Sequence, residues 1–455
     1  MIRRVAIGLL ALLAGGCTVI QPADQAARAW VARAAPALAE PVQGGEVSWP
    51  ARWGDGTAGL AEGGVGGKGV IVELEGPAEA WRGARLGRFH HLRADDEDRE
   101  MVARLAWGRE TEAGYSYKME GPSSFVFVRR AEDEAGGDGT PVFSFVSATP
   151  TETSLATGVQ RVEVQRTWFT LNDPIGRDAP RGLIVFNVGL FGAPEPVIDD
   201  MVRRLRVGGW AVLRMLAPPS RLTERVEVVV DVAGSLEAEA ERTAELLDQR
   251  TAEAAYAAEA ALAHTLARRP ELAPLPRVFM GLSAGAMTGP ATVARIHGSE
   301  LGAGADGGLG AGLGEFDAAV LIGGGAGNLS IAARSSYAPF VDGVIFRWMG
   351  EDGELSRPGP VVERLERLYL EHSTLDAYHT ASALEGVPTL MIHASGDTAV
   401  PADSGDLLWE RLGRPERWVS PLGHAVLFLT INLRTGGILD WIDETLEAEN
   451  GERGE

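Results

Sequence analysis

Cysteine is almost absent from this chain: there is one, Cys17, in 455 residues. No intramolecular disulfide is possible, so stability must come from a buried core, which a chain of this length can build. Basic residues are also in short supply. Lys and Arg number 42 against 63 Asp and Glu, a net charge of -21. Such a surface repels phosphate backbones and anionic lipid faces, which excludes nucleic acid as an expected partner. After the N-terminus no run reaches the roughly 18 uncharged apolar residues that a membrane span needs. Three chemistry-bearing signatures are missing as well. His372 and His379 have no Glu or Cys completing a zinc pattern. Gly323-Gly324-Gly325 is not followed by the Gly-Lys-Ser/Thr of a phosphate loop, and Gly302–Gly307 fits G-x-G-x-x-G without the strand a dinucleotide site requires. What remains is ordinary for a soluble globular protein: 45% apolar and 23% charged residues, in a chain long enough for two or three domains or one large α/β unit with additions.

The first 17 residues form a separate signal. Arg3 and Arg4 precede the apolar run Val5–Leu13, and Ala14-Gly15-Gly16 leads into Cys17. The run is too short for a permanent span and has the layout of a secretory signal. The small residues ending in cysteine resemble a bacterial lipoprotein signal, although Leu13 stands one place early. That resemblance implies acylation of Cys17, a membrane anchor through the N-terminal lipid, and residence in the bacterial cell envelope on an extracytoplasmic face.

Residues 18–140 read as a tether followed by a small β-containing extension, with strand-like runs at Gly69–Glu73 and Ser124–Val128 around a charged, helix-like Asp95–Ala106. From residue 141 to 447 strands and helices alternate. Val142–Val146, Val162–Thr170, Gly182–Val188, Trp210–Leu216, Arg277–Met280, Ala318–Ile322, Val387–His393 and Arg417–Ser420 read as strands. Ile198–Val207 has helical spacing stopped by Gly208-Gly209. Ser235 to Arg269 is a long helix with Ser235 as N-cap and Pro270 as terminator. This alternation is the signature of a mostly parallel sheet covered on both faces. Residues 448–455 form a polar tail. Gly302–Gly314 reads as a low-complexity loop.

Gly281-Leu282-Ser283-Ala284-Gly285 matches G-x-S-x-G. With 58 glycines in the chain, the bare match is weak, but its setting is strand, sharp turn, helix. A serine hydroxyl needs a base, and a base needs an orienting carboxylate. His424 follows the last strand, and Asp397 follows the strand before it. Asp403 is the nearest rival acid. His393, at a strand end, is read as structural.

The order Ser283, Asp397, His424, each after its own strand, resembles the α/β-hydrolase superfamily, especially its esterase and peptidase branches. The segment His393–Pro401 looks like that family's acid loop, and the resemblance covers about 160–447. It implies an α/β-hydrolase fold for that part of the chain, beyond the small β-rich N-terminal extension, and a Ser283–His424–Asp397 triad that cleaves an ester of a small molecule through an acyl-enzyme, with no cofactor. It also implies an oxyanion hole from the backbone N–H groups of Ala284 and Leu190; Val188-Gly189-Leu190-Phe191-Gly192 keeps the family's glycines but not its histidine. A serine peptidase and a catalytically silent envelope-binding scaffold are the alternatives. The stretch 323–386 is far longer than an ordinary connection, and in the resembled family an insertion here forms a helical cap. Its Phe346 and Trp348 are candidates to line an acyl or aryl pocket.

Overall fold

In a computed structural model, residues 160–190, 195–215, 222, 226–298, 313–337, 343–355 and 359–453 are described, together with strand segments at 19–20, 70–74, 87–91 and 142–153. Expectations for Cys17, Asp95–Ala106, Ser124–Val128 and most of Gly302–Gly314 fall outside these residues. In chain order the strands are β1 (Val19–Ile20), β2 (Val70–Leu74), β3 (Gly87–His91), β4 (Val142–Thr153), β5 (Gln160–Asn172), β6 (Gly182–Asn187), β7 (Trp210–Met215), β8 (Val226–Asp231), β9 (Arg277–Leu282), β10 (Ala318–Ile322), β11 (Val344–Gly350), β12 (Gly353–Leu355), β13 (Thr389–Ala394) and β14 (Glu416–Ser420). The helices are α1 (Glu195–Val207), α2 (Leu236–Arg268), α3 (Ala284–Met287), α4 (Gly289–His297), α5 (Asn328–Arg334), α6 (Gly359–His372), α7 (Ala377–Thr380), α8 (Ala402–Arg411) and α9 (His424–Arg453).

The main sheet runs β1-β14-β13-β10-β9-β6-β7-β5-β4-β3, with β2 paired to β5. The six strands from β14 to β7 are mutually parallel. Every residue of β6, β7, β9, β10 and β13 is buried, which is why these strands are near-continuous apolar runs rather than alternating ones. Chain order reverses at β6: β7 lies on one side of it and β9 on the other. Loops leaving the carboxyl ends of β6 and β9 therefore diverge, and such a switch point opens a crevice. This is the α/β-hydrolase fold. The N-terminal strands β2 to β5 do not form a separate layer. They continue the same sheet, antiparallel, from β7 outward.

Local signals act as expected on the long helix. Ser235 caps α2 by accepting from the Ala238 N–H at 3.3 Å. The helix after G-x-S-x-G is instead two helices, α3 and α4, because Pro290 near the start of α4 has no N–H to continue the ladder.

The 323–386 insertion differs from a purely helical cap. It contributes α5, α6 and α7, but also the hairpin β11–β12, which pairs with β8 in a second, three-stranded sheet. Val344–Gly350 is rich in β-branched and aromatic residues, which suits a strand, and β8 supplies the exposed partner edge.

Two buried carboxylates fasten this insertion. Asp376 accepts from the N–H groups of Gly327, Asn328 and Tyr378 and from the Tyr369 hydroxyl, at 2.7–2.9 Å. Asp248 of α2 accepts from Ser373 at 2.6 Å and the Thr374 N–H at 2.8 Å. Burial pushes Asp248 up to about 6. Glu366 on α6 is pushed up to about 7, chiefly by burial; nearby Asp403 and Asp376 reinforce the rise, while Arg334 and Ser330 oppose it.

Because the folded state raises the pKa of Glu366 from 4.5, its protonated form stabilises the fold fully below about pH 4.5, and that contribution disappears as pH rises through about 7. Glu366→Gln is therefore expected to flatten the decline in melting temperature between pH 5 and 8. The difference should be roughly 3 kcal/mol, at 1.36 kcal/mol per pH unit of displacement. A variant whose pH profile parallels that of the wild type would exclude this role.

Candidate active site

Ser283 sits between β9 and α3 with φ 51° and ψ -114°. Only one other described non-glycine residue, Arg414, has positive φ. This backbone conformation costs about 1–3 kcal/mol and persists only where the surroundings enforce it. The surroundings here are closely packed backbone. A Cβ at Gly281 would collide with the Gly285 carbonyl group and lie 2.8 Å from the Ala286 nitrogen. A Cβ at Gly285 would collide with the Asn187 carbonyl at the end of β6. Both glycines of G-x-S-x-G are thus required by the approach of neighbouring chain. Gly285→Ala is expected to lower stability by about 1–3 kcal/mol, the scale of an overpacked core, read as a shift in urea midpoint. Activity should fall with it, since the turn carries Ser283.

The three candidate residues come together at the sheet's carboxyl edge. Ser283 Oγ lies 3.0 Å from His424 Nε2, and His424 Nδ1 lies 2.5 Å from Asp397 Oδ2. The other Asp397 oxygen accepts from the Ala399 and Val400 N–H groups, both at 2.9 Å. An ionised carboxylate only accepts, so Nδ1 carries the proton and Nε2 is left to accept from the serine hydroxyl. Asp397 and His424 are buried, whereas Ser283 is half-buried and reachable. Asp403 is elsewhere: its carboxylate pairs with Arg334 at 2.6 Å.

Gly189 packs directly on the nucleophile, since a Cβ there would be 2.8 Å from Ser283 Cβ. The loop after β6 therefore passes beside the serine at Gly189. Ala284 opens α3, and the first N–H groups of a helix have no acceptor within it.

The imidazole is held between aromatic rings that the sequence did not single out for this task. Phe428, one turn along α9, meets it edge-on at 4.7 Å, and Tyr337 does so at 5.8 Å. The i, i+4 spacing of His424 and Phe428 was the available signal. Burial, then the Asp397 charge, pushes the Tyr337 hydroxyl up. Ser336 ties this segment to the acid loop through its N–H, which donates to the Thr398 carbonyl at 2.7 Å. The Gly323-Gly324-Gly325 run lets the end of β10 thread this site. Gly323 has φ +64°, and a Cβ there would press on Phe428 and His424; one at Gly324 would press on Ala286.

Phe346 and Trp348 stack on each other at 5.7 Å within the second sheet, and Trp348 is buried. Their ring contact is mutual; the insertion's aromatic beside His424 is Tyr337. His393 is buried on β13, and burial, with Arg417 nearby, pushes it down to about 3. It is neutral at physiological pH and packs against Gly405. His372 meets Glu237 at 2.6 Å, and His379 Nε2 meets the Leu370 carbonyl at 2.8 Å. Among the described residues no cluster of His, Cys, Asp and Glu is placed to hold a metal.

No protein-family model and no curated protein sequence matches this chain. Among solved structures, TT1662 from Thermus thermophilus is similar at 18% identity and TM-score 0.37, covering 66% of this chain and 98% of that one. Est1E from Butyrivibrio proteoclasticus is similar at 13% identity and TM-score 0.36, covering 66% and 99%. The acylaminoacyl peptidase of Pyrococcus horikoshii is similar at 14% identity and TM-score 0.36, covering 65% of this chain and 41% of that one. At this level of similarity, substrate and chemistry do not transfer between proteins, and what the site can do follows from its own geometry.

Proposed function

We propose that this chain is a serine hydrolase that cleaves a carboxylic ester through an acyl-enzyme. The observation that carries the proposal is the relay Ser283 Oγ–His424 Nε2, His424 Nδ1–Asp397 Oδ2, at 3.0 and 2.5 Å, on a serine held at positive φ. Ser283 Oγ attacks the ester carbon while Nε2 takes its proton. Asp397 keeps the imidazole in the accepting tautomer and stabilises the imidazolium. The developing oxyanion is received by the Ala284 and Leu190 N–H groups. His424 returns its proton to the leaving alcohol. Water, deprotonated by the same nitrogen, then attacks the acyl carbon and frees Ser283. Residues of this chain suffice for every step.

A fluorophosphonate should label the protein at Ser283 and abolish hydrolysis of p-nitrophenyl acetate. Labelling at another serine, or none with the fold intact, would overturn the reading; cleavage of peptide anilides in preference to esters would favour a peptidase. We also propose that Cys17 is acylated and holds the enzyme on an envelope membrane. Mass spectrometry of the N-terminal peptide tests this directly, and an unmodified Cys17 would refute it.

A further inference from the structure

From Pro421 to Leu433 the chain carries no Lys, Arg, Asp or Glu. This stretch is the turn before α9 and that helix's first half. One side of it is core: Leu427, Phe428 and Ile431 are buried. The other side is apolar and uncovered. Leu422 is 38% exposed, Val426 38%, Leu429 52% and Leu433 64%. Val426, Leu429 and Leu433 follow at steps of three and four, so they form one stripe along the helix, and Leu422 stands in the turn just before it. Among the described residues only eight large apolar side chains are exposed, and four of them are these. A helix that is apolar all round is normally enclosed on all sides, and α9 is enclosed on one.

Length and composition alone would let α9 cross a bilayer. Its place in the fold prevents that, because His424 Nε2 is 3.0 Å from Ser283 and the helix's inner face belongs to the core. The stripe instead lies at the rim of the active site, since it begins two residues before the catalytic imidazole.

The course of β1 supplies the occupant. β1 is antiparallel to β14, with Val19 opposite Val419 and Ile20 opposite Trp418. The chain therefore enters β1 from the Ser420 end of β14, the end from which α9 begins. Cys17 is two residues earlier, at most about 7 Å of chain from Val19. A lipid on Cys17 would leave the protein beside the stripe.

We propose that the Leu422–Val426–Leu429–Leu433 stripe docks flat on a phospholipid bilayer and turns the mouth of the Ser283 site towards it. The contact is apolar, because a chain of charge -21 gains nothing from anionic headgroups. Zwitterionic phosphatidylcholine is sufficient for docking, and added salt leaves it unchanged. The direction of docking rests on the proposed acylation of Cys17. The substrate that follows from it, an ester dissolved in the bilayer, rests on the hydrolase reading.

The test uses the full-length protein on phosphatidylcholine vesicles. A thiol-reactive fluorophore is placed on Leu429→Cys, and separately on Glu444→Cys, further along the same helix. Acylated Cys17 takes no label, and mass spectrometry of the labelled protein reports on the anchor independently. An interfacial apolar face sits about 5–10 Å below the headgroup boundary, so phospholipid brominated high on its acyl chains should quench the label at 429 and not that at 444. No quenching at 429 on vesicle-bound protein would overturn the proposal. So would a 429 label already in an apolar setting without vesicles, which would mean that the stripe is covered by this chain, or one whose emission depends on protein concentration, which would mean that it is covered by a second copy. Leu429→Glu with Leu433→Glu should leave p-nitrophenyl acetate turnover unchanged and lower turnover of a long-chain, bilayer-dissolved ester by roughly tenfold, the scale of losing part of two leucine burials. Quenching without turnover of either ester would refute the hydrolase reading and leave the docking standing.

Discussion

Ser283→Ala is expected to lower turnover of p-nitrophenyl acetate by about 10⁴- to 10⁶-fold while leaving the melting temperature nearly unchanged. The size follows from the role. Without Oγ there is no acyl-enzyme, and only the backbone donors and substrate binding remain. The intact fold follows from the geometry. The serine hydroxyl meets His424 Nε2 at 3.0 Å, and the strained turn is imposed by Gly281, Gly285 and Asn187 rather than by the hydroxyl. Alanine pays the same backbone cost at φ 51° as serine does. His424→Ala should fall by a similar factor, and the double variant by little more, because the members of such a relay act as a unit. Activity retained by the folded Ser283→Ala protein would remove Ser283 from the mechanism.

Asp397→Asn should cost about 10⁴-fold at neutral pH. The amide can turn its NH₂ towards His424 Nδ1, which forces the proton onto Nε2 and leaves no acceptor for the serine hydroxyl. Asp403→Asn provides the contrast. That carboxylate pairs with Arg334, and both side chains are about a quarter exposed, a setting in which an ion pair contributes little. Turnover of that variant should stay within a few fold of wild type. Single-turnover kinetics on both proteins decide the matter, and a reversed order would identify Asp403 as the acid.

The meeting of Ser283, His424 and Asp397 was legible in the sequence because the chemistry proposed for each carries a requirement that local pattern exposes. Ser283 needs glycine two places either side, and Asp397 and His424 each follow a recognisable strand. The parallel strands were legible as apolar runs, since burial on both faces removes alternation. The second sheet was not. β11 pairs with β8, more than a hundred residues earlier, and nothing local to Val344–Gly350 encodes that partner. Phe346 and Trp348 stand out as aromatics of the insertion, but that Tyr337 supplies a ring beside the imidazole is not a local property. Which aromatic meets His424 depends on how the segment after α5 folds back onto the acid loop through Ser336 and Thr398. Nothing in the local sequence marks Glu366 or Asp248. Their raised affinity for protons arises where α2, α5 and α6 close around them, and a one-dimensional pattern does not contain that enclosure.

The antiparallel seam between β5 and β7, from Phe169–Met215 to Asn172–Val212, bears on how the chain can be shortened. A fragment cut to start after Asn172 would retain every residue of the relay, yet it would strip the outer edge from β7. Trp210–Met215 is wholly buried in the intact protein, so its released N–H and C=O groups would flank an apolar strand. An open apolar edge of this kind recruits strands from other molecules. The smallest fragment that stays in solution should therefore begin before Gln160, and shorter ones should be recovered as aggregates.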